Sequence, residues 1–234
     1  MKVDVVSESD VGRRRESNQD SIFVDPNKKL FIVADGMGGH LGGKEASELA
    51  VKAICENFYQ KKNQEPLEAL QYSFSEASRI ILEESKKNKK LTGMGTTGIA
   101  LYLNQNYAYI GHVGDSRVYL YNKGMLWQLT EDHSLLNEYR KQGIPLTTKT
   151  KADNVLTRSL GATPVVQTDC LFRKIVGGDV YLLCSDGLTA MLSDDDICRV
   201  IESTPQENAA HALVKEANKQ GGEDNISVIL IYLN

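Results

Sequence analysis

Five aspartates stand where chemistry could be built. Asp35 and Asp186 each end an apolar run and are each followed by glycine, in LFIVADGMG and VYLLCSDGL. Asp20 and Asp224 stand just before apolar runs, ahead of SIF and NISVILIYL, and Asp115 lies in GHVGDSRVY between two strand-like stretches. In an antiparallel sheet the start of one strand lies beside the end of its neighbour, so Asp20, Asp35, Asp186 and Asp224 are expected on one sheet edge. Two carboxylates about 4 Å apart repel by about 1 kcal/mol in water and about 4 kcal/mol at an effective dielectric near 20. Four or five of them coexist only with cations or shifted pKa values. A donor set of oxygens, with few histidines and no thiolate, suits Mg²⁺ or Mn²⁺ better than zinc. The expectation is a carboxylate-rich centre for two or more ions.

Taken singly, each of these residues has an ordinary explanation. Asp-Gly after a strand is a common turn. Asp115 alone reads as a loop acid bonded to nearby backbone N–H groups, and Arg13–Arg14–Arg15 as a solvated charge run. His40, His112 and His133 read as surface or packing histidines. The glycines after Asp35 do not make a nucleotide cradle: the fingerprint G-x-G-x-x-G requires glycine where Leu41 stands, and no G-x-x-x-x-G-K-[ST] occurs.

The elements that must position these acids come in clusters. Strands are expected at 21–24 and 30–34, then a helix through Ala46, Leu49, Ala50, Ala53, Ile54 and Phe58 and a second through Leu67, Leu70, Phe74, Ala77 and Ile81. Alternating residues from Thr96 to Thr130, broken at Asn104 and Asn122, predict an antiparallel meander. A short helix near Leu135 ends at Gly143, and an irregular polar stretch follows to about Asn154. Strands return in CLFRKIV and VYLLC. A last helix is predicted to open on a capping box of Thr204 and Glu207 with Pro205 in its first turn, and to stop at Gly221 and Gly222 before a closing strand. Hairpins and helix pairs in separate runs argue for an α+β sandwich.

Composition bounds the rest. The chain has 234 residues, 41% hydrophobic and 25% charged, which suits one globular domain spanning 1–234. Its net charge of −4 gives no general reason to bind nucleic acid or anionic lipid. No apolar stretch reaches 18 residues, and MKVDVVSESD lacks the basic and apolar regions of a signal peptide, so the expected location is the cytoplasm without membrane insertion. Cys55, Cys170, Cys184 and Cys198 form no C-x-x-C pair and are expected to be reduced, buried and structural.

Set in order, RESNQD, VADGMGGH, GMGTT, GHVGDSRVYLY, LTEDHS, NVLTRSLG, LLCSDGL and EDNISVI resemble the motif series of the PPM or PP2C family. These are metal-dependent protein serine/threonine phosphatases, and the match is nearest to the compact bacterial members. The resemblance runs from about Ser7 to Leu233. It implies an α-β-β-α fold, two packed antiparallel sheets with helices outside. It places a bridging metal ligand on Asp35 and a carbonyl ligand on Gly36, further ligands on Asp186 and Asp224, and on Asp20 a direct or water-mediated one. Asp115 matches the acid that, with the Asp186 equivalent, binds a third ion in bacterial members, beyond the two core ions. Arg15 matches the arginine that grips the substrate phosphate.

The chemistry implied is hydrolysis of phosphoserine and phosphothreonine by an activated water. Ions about 3.5 to 4 Å apart share and acidify a water in line with phosphorus, and Arg15 would clamp two phosphate oxygens. Asp35 and Asp186, with Arg15, form the expected catalytic set. The leaving alkoxide needs a proton; many eukaryotic members carry histidine directly after Asp-Gly, where this chain has Met37, leaving His40 or a metal-bound water for that role. The segment 143–154 corresponds to the family's variable flap. Gln19 replaces the usual eukaryotic Glu, as in many bacterial members. The expected partners are phosphorylated proteins and a Hanks-type serine/threonine kinase, and the expected state is a monomer. Two other readings are a catalytically silent module of the same fold and a hydrolase of another phosphate ester.

Overall fold

The computed structural model describes residues 2–27, 29–61, 63–144 and 155–234, with residue 40 described through its backbone only. The flap expected at 143–154 therefore lies, from 145 onward, outside the described residues. The chain opens with strands β1 (Val3–Asp10), β2 (Asp20–Asp25) and β3 (Leu30–Met37), followed by helices α1 (Gly39–Gln60) and α2 (Pro66–Lys87). Pro66 occupies the first turn of α2, where its missing N–H has no helical partner to lose. Strands β4 (Gly95–Thr96), β5 (Gly98–Asn104), β6 (Tyr107–Val113), β7 (Arg117–Asn122) and β8 (Met125–Gln128) come next, then helix α3 (Leu135–Lys141). The rest comprises β9 (Asp169–Lys174), β10 (Val180–Cys184), helices α4 (Asp186–Thr189), α5 (Asp194–Ser203) and α6 (Ala209–Lys219), and β11 (Ile226–Leu233).

Two antiparallel sheets form, one ordered β1-β11-β10-β7-β8 and the other β2-β3-β5-β6-β9 with β4 added on β3. The burial of β3, β10 and β11 explains their unbroken apolar runs. Leu30, Ile32 and Ala34 pack under α1 and α2, while Phe31 and Val33 face the other sheet. Val180, Leu182, Val228 and Leu230 pack under α4–α6, while Tyr181, Leu183, Ile229 and Ile231 face inward. The result is the expected helix-sheet-sheet-helix sandwich. Each central strand is apolar on both faces because each face has a partner layer.

Four expectations are corrected. The 96–130 meander is two hairpins in different sheets: β5 and β6 belong to one, β7 and β8 to the other, and the chain crosses between them at Gly114–Ser116. CLFRKIV and VYLLC likewise fall in opposite sheets. Thr204 does not open α6. It closes α5 in an extended conformation, as the ring of Pro205 demands of its predecessor, and a short 3-10 turn precedes Ala209. The capping box belongs to α5, where Ser193 and Asp196 bond each other's backbone reciprocally. Of the cysteines, none of them in a disulfide, only Cys184 is buried; the other three are half-buried. The N-terminal strand β1 and the helices α4 and α5 were not expected, although α5 carries Ile197, Val200 and Ile201 at helical spacing behind the Ser193 cap. Among the described residues no helix is long and apolar enough to cross a membrane.

Candidate active site

The acids meet at one end of the sandwich, not along the edge of one sheet. Asp20 and Asp35 lie directly opposite each other across β2 and β3. Asp186 follows β10 and opens α4, Asp224 precedes β11, and Asp115 sits in the crossing between sheets. Antiparallel pairing puts the end of β3 beside the start of β2, and the end of β10 beside the starts of β7 and β11. A cleft of about 350 Å³ opens there, lined by Arg15, Asp35, Gly36, Asp115, Asp186 and Asp224 among others. Every residue expected to hold metal or phosphate except Asp20 lines it, and Asp20, opposite Asp35, is 8% exposed.

Hydrogen bonds fix Asp35, Asp20 and Asp224. The Asp35 N–H donates to Thr97 Oγ1 at 2.9 Å, and its carbonyl accepts from the Thr96 hydroxyl at 2.8 Å. Asp20 Oδ2 accepts from the Ser185 hydroxyl at 2.7 Å. Asp224 Oδ1 accepts from the Asn225 N–H at 2.8 Å, and Oδ2 accepts from Arg15 Nη2 at 2.5 Å. Asn225 ties the loop carrying Arg15 to β11: its side chain accepts from the Gln19 N–H and donates to the Val11 and Ser17 carbonyls, at 2.8 to 3.0 Å. Ser185, Thr97 and Asn225 were not singled out from sequence, although Ser185 and Asn225 adjoin Asp186 and Asp224 in the quoted motifs.

Gly36 is required for close approach. A Cβ there would lie 2.0 Å from the Gly43 carbonyl oxygen and 2.7 Å from that of Gln19, both backbone atoms. Gly36→Ala should therefore destabilise the fold by about 2 kcal/mol, which lowers the thermal midpoint by roughly 4–8 °C in a chain of this size. An unchanged midpoint in scanning calorimetry would mean that the turn relaxes freely.

The electrostatics are those of crowded carboxylates. Burial, then the charges of Asp20 and Asp186, push Asp35 well above the usual carboxylate range, and its carboxyl is close enough to Asp186 to share a hydrogen bond. Burial raises Asp20 to about 7 against hydrogen bonds from Ser227 and Ser185 that lower it. Burial and the charge of Asp186 raise Asp115 to about 7. Asp186 is itself raised, by burial and then by Asp224. The hydrogen bond to Asp224 raises Arg15.

Among the described residues no three acidic, histidine or cysteine side chains already form a closed metal-binding set; Arg15 is instead folded onto Asp224 and Ser185 onto Asp20. Asp20 Oδ1 and Asp186 Oδ1 are nonetheless buried with no hydrogen-bond partner, a state in which an ionised carboxylate is costly without a cation. With Gly36 lining the same cleft, these oxygens belong to a hard donor set of the kind Mg²⁺ and Mn²⁺ prefer. Met37 lines the cleft, and the side chain of His40 lies outside the described part of the chain.

A family model described as protein phosphatase 2C matches residues 12–220. The chain is 37% identical over 238 residues to the serine/threonine phosphatase stp of Listeria monocytogenes serotype 4b, covering 95% of this chain and 93% of that protein. The crystal structure of the Mycobacterium tuberculosis serine/threonine phosphatase PstP/Ppp superposes with a TM-score of 0.90 at 30% identity, covering 99% of each chain. The catalytic domain of PstP in complex with two manganese ions gives a TM-score of 0.87 at 31% identity, again with 99% of each chain covered.

Proposed function

The chain belongs to the protein phosphatase 2C family, and from that premise we propose how its own residues carry out the reaction. The protein is a serine/threonine protein phosphatase, a hydrolase dependent on divalent metal whose substrates are phosphorylated proteins. The observation that carries the residue assignment is the meeting of Asp20, Asp35, Asp115, Asp186 and Asp224 at one cleft, two of their oxygens buried and unpartnered.

Asp35 and the Gly36 carbonyl would hold two core ions, Mg²⁺ or Mn²⁺, from the end of β3, with Asp186 and Asp224 reaching them from the other sheet. Asp20 would support them from beneath, and Asp115 with Asp186 would hold a third. Divalent cations bound there neutralise the carboxylates and acidify water enough to supply a nucleophile at neutral pH. Arg15, half exposed at the rim, would turn from Asp224 to the substrate and present two N–H donors to two phosphate oxygens. The main-chain bonds to Asp35 and the Asn225 tie keep acids and arginine in register while the substrate enters. No cysteine lines the cleft among the described residues, which fits direct hydrolysis without a covalent intermediate on the enzyme. The leaving alkoxide takes its proton from water or from His40.

In this reading residues 1–234 form one catalytic domain, cytoplasmic and monomeric, whose counterpart is a Hanks-type serine/threonine kinase. The test is turnover of a phosphothreonine peptide. Release of phosphate with Mn²⁺ that stops on addition of EDTA is expected, and activity persisting in metal-free buffer would sink the mechanism.

A further inference from the structure

His133 has no part in the assignment above, yet it is built into the turn that carries Asp115. Its side chain is 6% exposed. Its backbone N–H donates to the Gly114 carbonyl at 2.8 Å, and its ring Nδ1 accepts from the Gly114 N–H at 3.1 Å, so one residue holds both polar groups of Gly114. Gly114 sits at φ +109°, and a Cβ there would lie 2.6 Å from the Thr97 side chain, so the turn is confined to a glycine conformation. On the other flank Asp132 accepts from the Arg117 guanidinium through both oxygens, at 2.7 to 3.1 Å. The dipeptide Asp132–His133 thus grips the chain on both sides of Asp115.

That grip has a load to bear. Asp115 faces the like charge of Asp186, so an unrestrained carboxylate would swing toward solvent. The ring's protonation follows from its partners. The Gly114 N–H is a donor, so Nδ1 carries the lone pair and the proton is on Nε2. Nε2 then donates to Asp169 Oδ2 at 3.0 Å; Arg158 Nη1, which lies 3.1 Å from Nε2, donates to Asp169 Oδ1 at 2.7 Å. Burial keeps the ring pKa below its ordinary value, in favour of this neutral form.

We propose that His133 is a positioning residue for Asp115: its Nδ1 lone pair, oriented by Asp169, sets the Gly114 peptide and so aims Asp115 at Asp186. The inference rests on the reading of Asp115 as a ligand of a third divalent ion. Its test is a calorimetric Mn²⁺ titration of the full chain, with Asp115→Asn identifying the binding event that depends on Asp115. His133→Gln, which offers a polar atom near Nε2 but none near Nδ1, should weaken that event by about 10- to 100-fold and leave the others intact, the usual size of such an outer contribution. His133→Asn, whose Oδ1 takes the place of Nδ1, should retain it. Wild-type binding in His133→Gln, or equal weakening of every event, would overturn the inference. Wild-type binding in Asp115→Asn would instead remove the third-ion reading on which it rests. If His133→Gln does not fold, Asp169→Ala decides, since that residue is 44% exposed: weakening of the same event supports the inference, and unchanged binding overturns it.

Discussion

Asp35→Asn is expected to lower kcat/KM on a phosphothreonine peptide by at least about 10³-fold while raising the thermal midpoint of the EDTA-treated protein. The activity loss corresponds to about 4 kcal/mol of transition-state stabilisation, the scale of a removed bridging charge at a metal centre. The stability gain has the opposite origin. Burial and two neighbouring carboxylates disfavour the ionised form of Asp35, and an amide of the same shape removes that repulsion and can donate to Asp186. Asp186→Asn should behave alike, because Asp186 is also raised by burial and by Asp224. Kinetics and scanning calorimetry on the two variants test this together. A near-normal kcat in either would place the metal centre elsewhere, and a fall in both activity and midpoint would make the acid a structural residue.

Mn²⁺ at about a hundred times its Kd should raise the midpoint of the metal-stripped protein at pH 8 by roughly 10–20 °C: two ions contribute about 2.7 kcal/mol each, and each kcal/mol is worth about 2–4 °C here. The gap between the metal-stripped and loaded forms should also widen with pH. Asp20 and Asp115 have folded pKa values raised to about 7, above an unfolded value near 4. The folded state therefore holds more protons between those values, and the stability this gives is lost as pH rises through about 7. His112 works in the other direction, because burial lowers it to about 4 and the folded state excludes its proton. That contribution is complete above about pH 6.5, so the window from pH 6.5 to 8 isolates the acids. There the EDTA-treated midpoint should fall, while the loaded midpoint holds or rises because binding needs ionised ligands. A stripped midpoint that climbs across this window would contradict the electrostatics of the cleft.

The composition of the site was legible because its acids sit at strand ends, where apolar periodicity switches to Asp-Gly or begins after Asp, and because their order along the chain resembles one family. The strands β3, β10 and β11 were legible for the same reason, each being buried on two faces. Less was legible where local signals compete. Thr204 and Pro205 carry the pattern of a helix start, but α5 needed an end at that point and Pro205 imposed an extended conformation on Thr204. Strand β1 alternates only weakly and owes its place to pairing with β11 along its whole length, from Val3 opposite Leu233 to Asp10 opposite Ile226.

What the sequence determined by itself was a set of hard oxygen donors at strand ends, an order of motifs that resembles one family, and glycines where backbone must pass close. Tertiary structure alone decided that the meander breaks at Gly114–Ser116 and that Asp20 and Asp35 belong to one sheet, while Asp186 and Asp224 reach them from the other and Asp115 from the crossing between the two. It also decided that Asn225 ties the loop carrying Arg15 to β11, that Ser185 donates to Asp20, and that His133 accepts from the Gly114 N–H. The reason is physical. Side-chain type and short-range periodicity are local properties, whereas the choice between two sheets rests on which apolar faces find partner layers across the sandwich. The bonds to Asp20 and Asp224 join residues 165 and 209 positions apart in the chain.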